Sequence, residues 1–264
     1  MRTVTLARPL IWLALGWRDL IRCGMLSFLH GLAIAAFGAG LLLLAHQRFW
    51  LLAGAFSGFL VMAPVLATSL YAMSRALERG RPVGWRLLRD TWLSWQQSRF
   101  SDRAGYWCLV RFGLLLGLAG TGWVLTSAAL ITLVAPVPIL QPLDFLRHVV
   151  LAPSPGLFVT WLALGGVLAA PIFASSVVAM PLLLDKRVTL WRAVLASWDT
   201  VLANPVTMAL WAAVLLLMVG IGFATALLGL VVLLPLAGHA SWHAYRDLVL
   251  ADELPGRPDE PGAR

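Results

Sequence analysis

Long apolar runs decide the solvent of this chain before any motif does. Residues 25–45, 50–73, 106–134 and 156–183 are almost free of charge, and a further apolar run extends from 206 to 244. A helix rises about 1.5 Å per residue, so roughly 20 residues cross a hydrocarbon core of about 30 Å. In lipid every backbone N–H and C=O needs an internal partner, which restricts spanning structures to helices and closed barrels. A barrel would show alternating segments of about 10 residues, and these runs are continuous instead. The expectation is an all-α membrane protein. Composition agrees: charged residues make up 12% of the chain, half the roughly 25% of soluble domains.

The final run is too long for one helix of ordinary tilt. Gly220 and Gly222 lie near its middle and predict a break into a tight hairpin. No polar residue marks the turn, so one long kinked helix stays open beside two spans.

The basic residues orient these spans. Arg2, Arg8, Arg18 and Arg22 precede the first. Arg75, Arg79, Arg81, Arg86, Arg89, Arg99 and Arg103 lie between the second and third, Lys186, Arg187 and Arg192 follow the fourth, and Arg246 follows the last. Only Arg48 and Arg147 fall on the other side. By the positive-inside rule both termini are cytoplasmic, and that parity asks for six spans. The net charge of +8 therefore reads as a topology signal and not as a nucleic-acid surface. Cys23 and Cys108 fall near the same reducing face, with no metal spacing, so no disulfide is expected. The N-terminal stretch reads as a retained amphipathic helix, because Arg18, Asp19 and Arg22 follow its short apolar core where a cleavage site would stand.

A repeat runs through the chain. "WRLLRDTW" (85–92) and "WRAVLASW" (191–198) share Trp-Arg-x5-Trp, and "GWRDL" carries Trp17 and Arg18. Each precedes a pair of apolar spans. The second span of each pair ends in a Ser-x-x-Ala frame, "SLYAM", "SVVAM" and "SWHAY", with Pro64, Pro171 and Pro235 shortly upstream. The expected architecture is about six transmembrane helices in three hairpin units (7–75, 84–183 and 188–248). Each unit opens with an interfacial amphipathic helix, and the prolines kink the second helix of each pair. Interface anchors are Trp17, Arg18, Trp85, Arg86, Trp92, Trp191, Arg192, Trp198, Trp242, Tyr245 and Arg246. Residues 1–250 form one polytopic domain, and 251–264 are an acidic, proline-rich tail expected to be disordered. "LDFLRHVV" in the loop 135–152 reads as a short helix on the outer surface.

Chemistry is sparse. Gly54-x-x-x-Gly58 and Gly113-x-x-x-Gly117 are spacings for helix packing in lipid. No Asp or Glu falls inside an expected span, which disfavours a proton-driven carrier. Neither a nucleophile elbow nor a phosphate loop occurs. His239 and His243, four apart in "GHASWHAYRDL", are the candidate metal ligands, with His30 a third and Asp19 or Asp247 acidic partners. The plainer reading makes them hydrogen-bonding anchors at the membrane boundary, with no cofactor.

"LALGWRDL", "LYAMSRALERGRPV", "SVVAMPLLLDKRV" and "VLLPLAGHASWHAYRDLV" together resemble a bacterial integral membrane family, domain of unknown function 2189. The resemblance implies an inner-membrane protein with about six spans and no established activity. The functional expectation is a non-enzymatic accessory, scaffold or envelope-homeostasis protein. Its partners are the lipid bilayer and either a second copy or another membrane protein. The alternatives are a facilitative small-solute transporter or channel, and a metal- or haem-binding redox accessory protein.

Overall fold

The computed structural model describes residues 1–97, 107–251 and 254–256. Arg99, Arg103 and most of the tail (252–253 and 257–264) lie outside the described residues, as do the expectations placed on them. Among the described residues the regular elements are all helical: α1 (Arg8–Cys23), α2 (Met25–Ala45), α3 (Phe49–Leu66), α4 (Thr68–Glu78), α5 (Trp85–Gln97), α6 (Trp107–Val134), α7 (Pro142–Phe145), α8 (Gly156–Ser176), α9 (Ala179–Asp185), α10 (Leu190–Ala203), α11 (Pro205–Ala224) and α12 (Leu230–Leu248).

Five stretches among them are long and apolar enough to cross a membrane: Met25–Ala45, Phe49–Glu78, Cys108–Val134, Gly156–Asp185 and Pro205–Ala224. The second and fourth run for 30 residues, about 45 Å of helix against about 30 Å of hydrocarbon, so their polar ends reach past the core. Large apolar side chains stay uncovered along several of these stretches, Leu43, Leu118 and Val167 among them. That is the surface a lipid solvent tolerates and water does not.

The run 206–244 does divide, but at Thr225–Gly229 and not at Gly220 or Gly222. Ala226 (φ 51°) and Leu227 (φ 72°) take left-handed conformations there, unusual for residues with a Cβ. Leu227 N–H donates to the Gly222 carbonyl at 2.9 Å, and Gly229 N–H donates to Thr225 Oγ1 at 2.9 Å. Gly222 serves the turn by vacancy, since a Cβ on it would meet the Leu230 side chain. The polar mark sought at the turn is Thr225.

Two compact units form. One comprises Met1–Ala35, Pro64–Phe112 and Ala174–Arg264, the other Ala36–Ala63 and Gly113–Phe173.

In the first unit, α1 buries Trp12, Gly16, Asp19, Leu20 and Cys23 along one stripe, the spacing of an amphipathic helix. Leu10, Ile11, Trp17 and Ile21 stay exposed. The buried stripe lies against α12. A Cβ on Gly16 would sit 2.6 Å from the Ala240 nitrogen, so only glycine permits this approach. Trp12 meets Trp211 of α11 edge-on, ring centroids 5.4 Å apart.

The same docking recurs. α5 packs on α4, and α10 on α9. Trp92 Nε1 donates to Ser69 Oγ at 2.7 Å, and Trp198 Nε1 donates to Ser175 Oγ at 2.9 Å, each across 23 residues. The tryptophan closing each Trp-Arg-x5-Trp thus grips the end of the long helix before it. The hydrogen bond equates Ser69 with Ser175, one residue before the Ser-x-x-Ala frame. The first amphipathic helix, α1, docks on α12.

Pro64, Pro171 and Pro235 lie inside α3, α8 and α12. Proline withdraws an N–H from the helix ladder. α3 gives way to α4 at Ala67, α8 to α9 at Val177–Val178, and α12 continues through its proline.

The second unit is held by aromatic and aliphatic packing. Phe49, Ile131, Ile139 and Val149 form its buried centre, with Phe145, Phe158 and Trp161 against them. Phe49 stacks on Phe145 at 5.1 Å, and Trp161 Nε1 donates to Ser127 Oγ at 2.7 Å. The loop expected to be helical forms α7 and a π-helical turn, Leu146–Val150. Asp144 caps it, accepting from the Gln141 and Leu140 N–H groups, and those bonds hold its carboxyl below the usual range. Of the glycines expected to pack helices here, Gly54 lies near Val124 (3.8 Å), while a Cβ on Gly58 or Gly117 would meet nothing within 4 Å. Close approach in this unit falls on Gly165, where a Cβ would sit 3.0 Å from the Trp123 ring. A small-xxx-small spacing makes a face packable, and the neighbouring helix decides which such face is used.

Candidate functional site: a buried polar network

The polar residues of the first unit gather around the second half of α12, where α1, α4 and α9 pack on it. Two groups form.

The first group centres on Asp185, which closes the apolar run of α9 and is 3% exposed. Its Oδ1 accepts from Arg75 Nε at 3.0 Å and from an Arg79 guanidinium nitrogen at 2.9 Å. Its Oδ2 accepts from the Tyr245 hydroxyl at 2.9 Å. Arg75 and Arg79 stand four apart on α4, so one helix face delivers both guanidinium groups to one carboxylate. Glu78, on the same helix, accepts from Arg246 Nε at 2.8 Å and from Trp242 Nε1 at 2.9 Å. α4, α9 and α12 are thereby tied at one place by charge-assisted bonds.

The second group contains both candidate histidines. His239 is fully buried, with Nε2 2.9 Å from Ser27 Oγ and Nδ1 2.7 Å from Ser74 Oγ. His243 Nε2–H donates to Asp19 Oδ2 at 2.8 Å, since an ionised Asp19 can only accept. Burial pushes the Asp19 carboxyl up, but the bonds from His243 and Ser74 outweigh it and hold it below the usual range. Cys23, one turn before Ser27, is pushed up to about 11 by burial. Its thiol stays protonated and unreactive at neutral pH.

A third pairing closes the N-terminal side. Asp247 Oδ2 accepts from Arg8 Nε at 2.6 Å and from Trp12 Nε1 at 2.8 Å.

Helical spacing sets His239 and His243 on neighbouring positions of α12, yet they take different partners: Ser27 and Ser74 for one, Asp19 for the other. His30 donates from Nε2 to the Leu66 carbonyl at 3.0 Å and joins neither. Among the described residues no three His, Cys, Asp or Glu gather to hold a metal ion. Ser27 beside His239 has the pairing of a nucleophile and its base, but both are fully buried and closed to a substrate in this conformation. Of the other anchors, Trp17, Arg18, Trp85, Arg86, Trp92, Trp191 and Arg192 are exposed. Trp198 is half-buried on Ser175, and Trp242 and Tyr245 are buried in the network.

Asp185 escapes sequence reading because its partners lie far along the chain, Arg75 and Arg79 over a hundred positions before it and Tyr245 60 positions after it. Two local signals point to it: a lone acid ending an apolar run, and Arg75 and Arg79 at i, i+4.

The model of a family described as predicted integral membrane protein (DUF2189) matches residues 51–185, or 135 of 264 positions. The chain belongs to this family. The DUF2189 match contains Ser69, Ser74, Arg75, Glu78, Arg79 and Asp185, so the carboxylate and both arginines of the first group lie within it. It ends before α12, and the histidines belong to a part of this DUF2189 protein that the match does not reach. No curated protein and no solved structure matches the chain.

Proposed function

We propose that this protein is a non-enzymatic inner-membrane scaffold or envelope-homeostasis accessory, which works by presenting a rigid helical surface to membrane partners. One observation carries the reading. The acidic side chains of the network, Asp19, Glu78, Asp185 and Asp247, each face a basic or histidine partner on another helix. A catalytic acid or an ion relay must meet its substrate, whereas these carboxylates join one helix to the next. His239 and His243 enter the same way, as hydrogen-bonding residues.

The reading includes six crossings, with both termini cytoplasmic. α12 supplies the sixth. Its second half is polar, but His239, Ser241, Trp242 and Tyr245 are buried against protein, where a membrane helix tolerates polar side chains. The Arg2 N–H donates to the Leu248 carbonyl at 2.9 Å, so the two ends of the helical region meet. An even number of crossings brings them to one face.

The test is reconstitution. Purified protein in liposomes is expected to pass small solutes no faster than a helix-matched control, while in-cell crosslinking returns a reproducible membrane partner. Solute flux well above the control, or turnover of a substrate by purified protein, would sink the reading. Alkaline phosphatase fused after Leu248 is expected to be inactive; an active fusion would remove the sixth crossing.

A further inference from the structure

α5 carries an arrangement that the polar network leaves unused. Trp85, Arg86, Leu88, Arg89 and Trp92, with His30 of α2 and Ser69 of α4, line an open cleft of about 490 Å³. Trp85, Leu88 and Trp92 recur at three- and four-residue spacing and share a helix face, and Arg86 and Arg89 run beside them. Among the described residues no acid is part of the lining. Arg89 pairs with Asp90, its own neighbour, at 3.0 Å, whereas Arg86 makes no ion pair or hydrogen bond among the described residues. The bonds from Trp92 to Ser69 and from His30 to Leu66 fix the wall on the α4 side.

We propose that this cleft binds an anionic phospholipid of the phosphatidylglycerol class, with the phosphate on Arg86 and Arg89 and the glycerol backbone on Trp85, Leu88 and Trp92. Arginine forks match phosphate oxygens, and indole rings favour the headgroup level of a bilayer. α2 and α4 both belong to spanning stretches, so a cleft between their ends and an amphipathic helix opens where headgroups lie. A free phosphate would neutralise Arg86 but leave two indole rings and Leu88 in water. A choline lipid would bring a fixed cation toward two guanidinium groups.

The full-length protein is purified in detergent and exchanged into nanodiscs containing one part phosphatidylglycerol to four parts phosphatidylcholine. Native mass spectrometry then counts the lipid retained on release. Phosphatidylglycerol is expected to be retained over phosphatidylcholine. R86Q/R89Q should lose at least about five-fold of that retention, following roughly 1 kcal/mol per basic residue near anionic lipid. R86K/R89K should keep most of it, and R192Q, at the matching exposed position of the repeat, should keep all of it. Four outcomes overturn the proposal: unchanged retention in R86Q/R89Q; equal loss in R192Q; loss in both the Gln and Lys pairs; or displacement by inorganic phosphate alone, which makes the cleft a free-anion site.

Discussion

His243 of the last helix donates to Asp19 of the first, Nε2 to Oδ2, at 2.8 Å. The bond spans 224 residues and fastens the amphipathic α1 to α12. It stands beside two other ties between the same helices, Arg8 and Trp12 on Asp247. α1 is therefore part of the folded bundle.

The Asp19–His243 tie makes stability depend on acid. Asp19 sits below its ordinary pKa, so the folded form binds the proton less readily than the unfolded chain. Its contribution is complete above the unfolded value of about 4 and is lost as pH falls through the lower folded value. In detergent, the Tm of the native protein should drop more steeply below about pH 4 than that of D19N. Equal slopes would show that Asp19 does not carry the effect.

Asp185 is the more costly residue to remove. D185A leaves Arg75 facing Arg79 and strands the Tyr245 hydroxyl. Loss of one partner from a buried ion pair costs about 3–5 kcal/mol. D185N, which keeps acceptor capacity, should cost less than D185A. Thermal unfolding followed by helical circular dichroism ranks the two, and the reverse order would mean that the acceptor capacity at this position is not what matters.

The tryptophan–serine bonds should behave as a pair. W92F and W198F each remove one indole donor and leave a serine hydroxyl without it, which costs about 1 kcal/mol. Similar losses in the two variants would fit a common role for α5 and α10. A loss in only one would assign the bond to local packing.

Gly16 should tolerate no side chain. With a Cβ at 2.6 Å from the α12 backbone, G16A must push α1 outward, an overpacking cost of about 1–3 kcal/mol. Limited trypsin digestion should then cut at Arg18 or Arg22 faster than in the native protein, while cleavage at Arg187 stays constant.

Much of the helical framework can be read from the chain because its cause is local. Continuous carbon over residues 25–45 or 156–183 forces helix in lipid whatever surrounds it, and Trp-Arg-x5-Trp places two rings on one side of any helix. The turn at Thr225–Gly229 is harder to read. Its left-handed residues are alanine and leucine, and Gly222 acts by accommodating a residue eight positions on. The polar second half of α12 is buried against protein, which local sequence does not state. The spacing of His239 and His243 shows that they share a helix. It does not show that one meets Ser27 and Ser74 while the other meets Asp19, because those partners come from three other helices.

The sequence by itself determined that this is a helical membrane protein, where its long apolar runs lie, and that three amphipathic helices recur among them. Those facts follow from the cost of unpaired backbone in hydrocarbon and from helical period. Tertiary structure alone decided that Asp185 draws in Arg75, Arg79 and Tyr245, and that α1 closes on α12. Such choices depend on which buried charge finds which partner across 60 residues or more, and the low dielectric of the interior makes each of them costly to leave unmet.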